Sequence, residues 1–147
     1  MNDLKDLYRE VILDHNRSPR NFGTLEAPDR VVNGVNPLCG DKMTLYLKLD
    51  GDRIEDVRFE GTGCAISVAS SSLMTERVKG RTIGESLALF DDVHEMLMGH
   101  AEPDERMEKL AALAGVRDYP SRVKCASLSW HALKSALTGT QREISTE

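Results

Sequence analysis

Long hydrophobic runs are missing from this sequence: no apolar stretch approaches the ~18–20 residues that span a bilayer, which excludes a helical membrane anchor. Aromatic residues are few, with three Phe, three Tyr and one Trp, and there is no excess of cations, with 19 Lys+Arg against 24 Asp+Glu and a net charge of −5. Such a chain has neither the basic field nor the stacking surface that nucleic acid requires. The opening MNDLKDLYREVILDH alternates charge with apolar residues, unlike a secretory signal, so a cytoplasmic location is expected. Internal repeats and low-complexity tracts are absent as well. Cysteine is both scarce and odd in number: Cys39, Cys64 and Cys125 lie far apart, which is not a disulfide framework.

What is present is ordinary globular material. The 147 residues are 40% hydrophobic and 29% charged, and a chain of this length buries roughly 68–70% of its unfolded surface without disulfides. One domain over 1–147 is expected. Leu4, Leu7, Tyr8, Val11 and Ile12 recur at helical spacing, opened by Asn2 or Asp3 as cap and ending near Asn16, ahead of Pro19. SPRNFGTLEAPD reads as irregular loop. Val31 to Pro37 reads as an extended edge segment broken by turn residues. Met43, Leu45, Leu47 and Leu49 then alternate with polar residues, Asp50-Gly51 marks a hairpin, and Ile54, Val57 and Phe59 form the return strand with a slip after Ile54. Helices follow: Ala65 to Lys79 closed by Gly80, a capping box at Thr82–Glu85 with Ile83, Leu87, Phe90 and Leu97 inward, a short helix from Pro103 to Ala114, and a last helix opened by Pro120 with Ala126, Trp130, Leu133 and Leu137 on one face. The order predicts an α+β fold: a small antiparallel sheet of about three strands packed with an N-terminal helix and several C-terminal helices.

Each cysteine falls at a junction between elements. Cys39 sits in NPLCGD before the first long strand, Cys64 in GTGC at the start of a helix, and Cys125 in the first turns of the last helix. Free cysteine is often simply a small buried side chain, and that reading stays open. The other reading is thiolate chemistry, since helix N-termini favour thiolates and the glycines at 40, 61 and 63 allow close backbone approach. Asp41 follows Cys39 by two residues, so in an extended segment the two point to one face and can share an ion; a turn-capping carboxylate is the alternative. Three thiolates and one carboxylate would suit zinc. His15 ends the first helix, where a surface cation complements the helix dipole. His94 and His100 flank MLMGH, far from any cysteine, and His131 lies on a different face from Cys125, so none of the four is expected to be a ligand. No nucleophile signature of a Cys–His hydrolase surrounds any cysteine.

Together LYREVILDHNRSPRNFG, NPLCGD, FEGTGCAISVASSSLMTE and RVKCASLSWHAL resemble the SufU branch of the IscU-like iron–sulfur assembly family, over almost the whole chain. Two departures from the scaffold pattern select that branch. Scaffold proteins carry His immediately before the third cysteine, where this chain has Lys124, and the stretch around MLMGHAEPDERMEKLAALAG resembles the SufU-type helical insertion, placed at about 84–118. The scaffolds' chaperone motif LPPVK appears only as YPSRVK.

The resemblance implies an IscU-like fold and a zinc-dependent sulfurtransferase. Its partners would be a SufS-type, pyridoxal-phosphate cysteine desulfurase and a downstream SufBCD-type scaffold. It places the zinc ligands at Cys39, Asp41, Cys64 and Cys125, with Cys39 as sulfur acceptor. Arg122 would attract an anionic persulfide or orient Asp41, unless it is only a solvated helix-start charge. The alternatives are a scaffold that binds iron and a nascent cluster, and zinc that merely staples the fold.

Overall fold

The computed structural model describes residues 3–139 and 142–146. Helix α1, Asp3–Arg17, is followed by strands β1 (Arg30–Asn36), β2 (Asp41–Asp50) and β3 (Arg53–Thr62). Then come helices α2 (Ala65–Val78) and α3 (Ile83–Leu97), a run of 3-10 turns over Glu105–Val116, helix α4 (Pro120–Thr138) and strand β4 (Glu143–Ser145). This is the expected α+β architecture. No helix among the described residues is long and apolar enough to cross a membrane.

The sheet runs β3-β2-β1-β4. The two long strands pair antiparallel through the Asp50-Gly51 turn, and the register slips between Lys48 and Leu49, where Lys48 faces Asp56 and Leu49 faces Ile54. Glu55 is thus the extra residue behind the broken alternation after Ile54. Two features go beyond the sequence reading. A fourth strand, β4, pairs parallel with β1 and makes the sheet mixed. In consequence β1 is an uninterrupted internal strand rather than a broken edge segment, because it finds hydrogen-bond partners on both sides.

One face of the sheet is buried. Val32 of β1, Met43, Leu45 and Leu47 of β2, and Ile54, Val57 and Phe59 of β3 point into a core completed by Leu73 and Met74 of α2 and Leu128, Trp130 and Leu133 of α4. Full burial of a leucine such as Leu45 or Leu47 contributes about 1.5–3 kcal/mol. Helix α4 packs on β1, β2 and β4, and α2 lies against α1, α4 and β3. Helix α1 buries a narrower stripe than its pattern indicates: Tyr8, Val11 and Ile12 pack on the core, but Leu7 is 58% exposed. Asn2 and the side chain of Leu4 lie outside the described residues. Helix α3 opens with the expected reciprocal cap, Thr82 Oγ1 accepting from Glu85 N–H and Glu85 Oε1 from Thr82 N–H, each at 3.0 Å. The segment after Pro103 is a chain of tight 3-10 turns kinked at Glu108 (φ 50°), where a short regular helix was expected.

Candidate metal centre

The inward faces of β1 and β2 carry apolar side chains until they reach the turn that joins them. There the inward positions become Asn36 and Asp41, which are register partners and fully buried. The turn closes through the Cys39 N–H donating to the Asn36 carbonyl at 3.2 Å, with Gly40 at φ 71°, a left-handed conformation that favours glycine. Cys39 therefore belongs to the turn and not to an extended strand, and it meets Asp41 because the chain bends between them.

Asp41 is the hub. Its Oδ1 accepts the Cys64 N–H at 2.9 Å at the start of α2, and its Oδ2 accepts from Asn36 Nδ2 at 3.1 Å. The glycines before Cys64 have separate reasons: a Cβ at Gly63 would overlap the Asp41 carboxylate, and one at Gly61 would overlap the Lys42 carbonyl of β2. Helix α4 enters from the far side, and the Asn36 amide also donates to Cys125 Sγ at 3.5 Å. Ligand atoms of Cys39, Asp41 and Cys125 all lie within 4.8 Å of one another. Asp41 and Cys125 are buried, whereas Cys39 is half-exposed. Cys64 stands outside that set, although its sulfur interacts with Cys125.

Electrostatics set the character of the site. Burial pushes the Cys125 thiol well up, with Asp41, Cys39 and Cys64 adding to the effect. This differs from the thiolate-favouring helix end expected from sequence. Cys125 lies beyond the first turn of α4, away from its free N–H groups, and is crowded by acceptors and sulfurs. The exposed Arg122 guanidinium faces Cys64 first and Cys125 second, and both raise its pKa. Arg122 is thus paired electrostatically with the sulfurs of Cys64 and Cys125. Thiols and a carboxylate held this close form a donor set that fits a tetrahedral, thiophilic divalent cation such as zinc.

The histidines sort differently from expectation in one case. His15 is completely buried rather than on the surface, with Nδ1 2.7 Å from Ser72 Oγ, because the end of α1 packs on α2. His94 stacks on Phe90 at a ring-centroid distance of 5.7 Å, His131 meets the same ring edge-on at 5.4 Å, and His100 pairs with Glu95 at 2.9 Å. Among the described residues none of them joins the sulfur cluster. Sequence reasoning missed Asn36. The available signal was register: Val32, Gly34 and Asn36 alternate inward as Asp41, Met43 and Leu45 do, so a polar residue ends the core face of each strand.

Residues 7–138 match the family described as the NifU-like N terminal domain. The chain is 45% identical to the zinc-dependent sulfurtransferase SufU of Bacillus subtilis over 136 residues, 92% of each chain. It is 43% identical to the iron-sulfur cluster assembly scaffold protein IscU of Streptococcus pyogenes, over 93% of this chain and 86% of that one. A crystal structure of a candidate iron–sulfur cluster assembly scaffold protein for the SUF system, from Fervidobacterium islandicum, superposes with a TM-score of 0.83 at 39% identity, covering 87% of this chain and 94% of the other. With the matched pattern spanning nearly the whole sulfur-bearing fold, the chain belongs to the NifU-like N-terminal domain family, which includes the iron–sulfur assembly proteins SufU and IscU.

Proposed function

We propose that this protein is a sulfurtransferase of iron–sulfur cluster assembly. It takes sulfane sulfur from the persulfide of a SufS-type cysteine desulfurase onto Cys39 and passes it to a SufBCD-type scaffold. One observation carries this reading: Cys39 is half-exposed while the Asp41 and Cys125 that lie within 4.8 Å of it are buried, and Cys64, also half-exposed, stands outside that group. An incoming persulfide can reach one thiol of the group and not the other. Cys39, Asp41, Cys64 and Cys125 would hold zinc, which keeps bound thiols deprotonated and brings no redox chemistry of its own.

In the transfer, the Cys39 thiolate attacks the outer sulfur of the donor persulfide. A new S–S bond forms at Cys39, the donor's S–S bond breaks, and the desulfurase thiolate leaves, with no net oxidation. Arg122, exposed beside Cys64 and Cys125, offers a positive charge to the approaching anion. The test is the turnover of the desulfurase with and without the zinc-loaded chain. Strong stimulation is expected from the wild type and none from Cys39→Ala; stimulation that survives that substitution refutes Cys39 as acceptor.

The scaffold reading is favoured by one observation, the 43% identity to an IscU named as a scaffold. It requires a coloured, oxygen-sensitive species after reconstitution with iron and sulfide. Lys124, where scaffolds carry His, weighs against it.

A further inference from the structure

Asn36 is fully buried at the inward end of β1, and its side-chain amide touches two candidate ligands from different elements, Asp41 on β2 and Cys125 on α4. Both neighbours are acceptors, so both amide hydrogens are used, at 3.1 Å to Asp41 Oδ2 and 3.5 Å to Cys125 Sγ. The amide cannot turn over without setting its oxygen against a carboxylate and a sulfur. Its oxygen is left buried with no partner among the described residues. Such an orphan is unfavourable, and an apolar residue of similar shape would fill the space without it. Packing therefore does not account for asparagine here, whereas bridging two ligands does. By contrast, no amide of the described residues donates to the sulfur of Cys39, which sits half-exposed on the turn.

We propose that Asn36 is a positioning residue that ties Asp41 and Cys125 together within the metal site. The inference rests on the metal reading given above and concerns the division of labour within it. An N–H donated to a sulfur draws charge from it and holds its direction, as outer-sphere partners of metal ligands commonly do.

The experiment is zinc affinity by chelator competition, with Asn36→Leu introduced into the wild type, into Cys39→Ala and into Asp41→Ala. The far-UV circular dichroism of each zinc-free chain reports folding separately. Loss of an outer-shell partner lowers affinity ~10–100-fold. That loss is expected in the wild type and in full in the Cys39→Ala background, and to shrink to a few-fold in Asp41→Ala, where the main partner of the amide is already gone. Wild-type affinity in Asn36→Leu, or an equal loss in all three backgrounds, overturns the inference, the latter because it marks a general structural effect. Should the leucine variant fail to fold, Asn36→Ala, which removes the donor without added bulk, takes its place, and the same two results overturn the inference. A wild-type chain that takes up no zinc overturns the metal reading itself, a result distinct from an unchanged variant of a zinc-binding chain.

Discussion

Two buried polar clusters flank helix α2, and they are built on opposite principles. At the start of α2, Asp41, Cys39 and Cys125 bring acceptors and sulfurs into one small space, with Asn36 and the Cys64 N–H as donors and one buried oxygen left over. Farther along the helix, His15 Nε2 accepts from Lys109 Nζ at 3.2 Å, which leaves Nδ1–H to donate to Ser72 Oγ at 2.7 Å. Ser72 Oγ also accepts the Arg20 N–H at 2.8 Å, and Lys109 pairs with Glu76 at 2.8 Å. In this second cluster the His15 ring meets a donor on one nitrogen and an acceptor on the other, and the result is a staple joining α1, α2 and the 3-10 run. The first has acceptors to spare, and a cation would supply the partner they lack. The paired cluster ties elements together, whereas a surplus of acceptors suits a cation.

The largest effect that separates the two comes from Asp41→Ala. Zinc affinity should fall by more than the ~10–100-fold typical of an outer-shell loss, because a ligand and the bridge to Asn36 and Cys64 go together. Chelator competition measures it, and near-wild-type affinity would mean that the carboxylate is only a turn cap. Substituting the staple should do the reverse. His15→Leu leaves Ser72 and Lys109 short of a partner and should cost about 1–3 kcal/mol in denaturant unfolding while leaving zinc affinity unchanged; a parallel loss of zinc would show that the clusters are coupled.

The same histidine gives the comparison a pH signature. Burial, followed by the charges of Arg20 and Lys109, holds the His15 pKa below its ordinary value of 6.5. The unfolded chain then binds more protons than the folded one between the two pKa values, so stability rises with pH across that window. The contribution is complete above about 6.5 and is lost as pH falls below it. Urea unfolding of the zinc-free chain from pH 8 down to pH 5 should show this decline in the wild type and a smaller one in His15→Leu.

Which parts of this were legible in sequence follows from the range of the forces involved. The β2–β3 hairpin, its bulge and the cap of α3 were readable because alternation, Asp50-Gly51 and Thr82–Glu85 act between near neighbours in the chain. The candidate site was legible through its chemistry, with three cysteines at junctions, but not through its geometry. The i, i+2 argument placed Cys39 near Asp41, and the two do lie close, but the turn at Gly40 and not an extended strand brings them there. His15 was misplaced because the dipole argument sees the end of α1 alone, and the packing of α1 on α2 decides its burial.

By itself, then, the sequence determined the order and kind of most elements, the absence of a helical membrane span and the residue types available for metal chemistry, all of which depend on composition and short-range pattern. Tertiary structure alone decided that β4 closes the flank of β1, that Asn36 and Asp41 end the core faces of adjacent strands, and that Cys125 arrives from a helix more than 80 residues away in the chain to meet them. Convergence of this kind is a property of packing: side chains distant in sequence become neighbours only when the sheet and its covering helices exclude water between them.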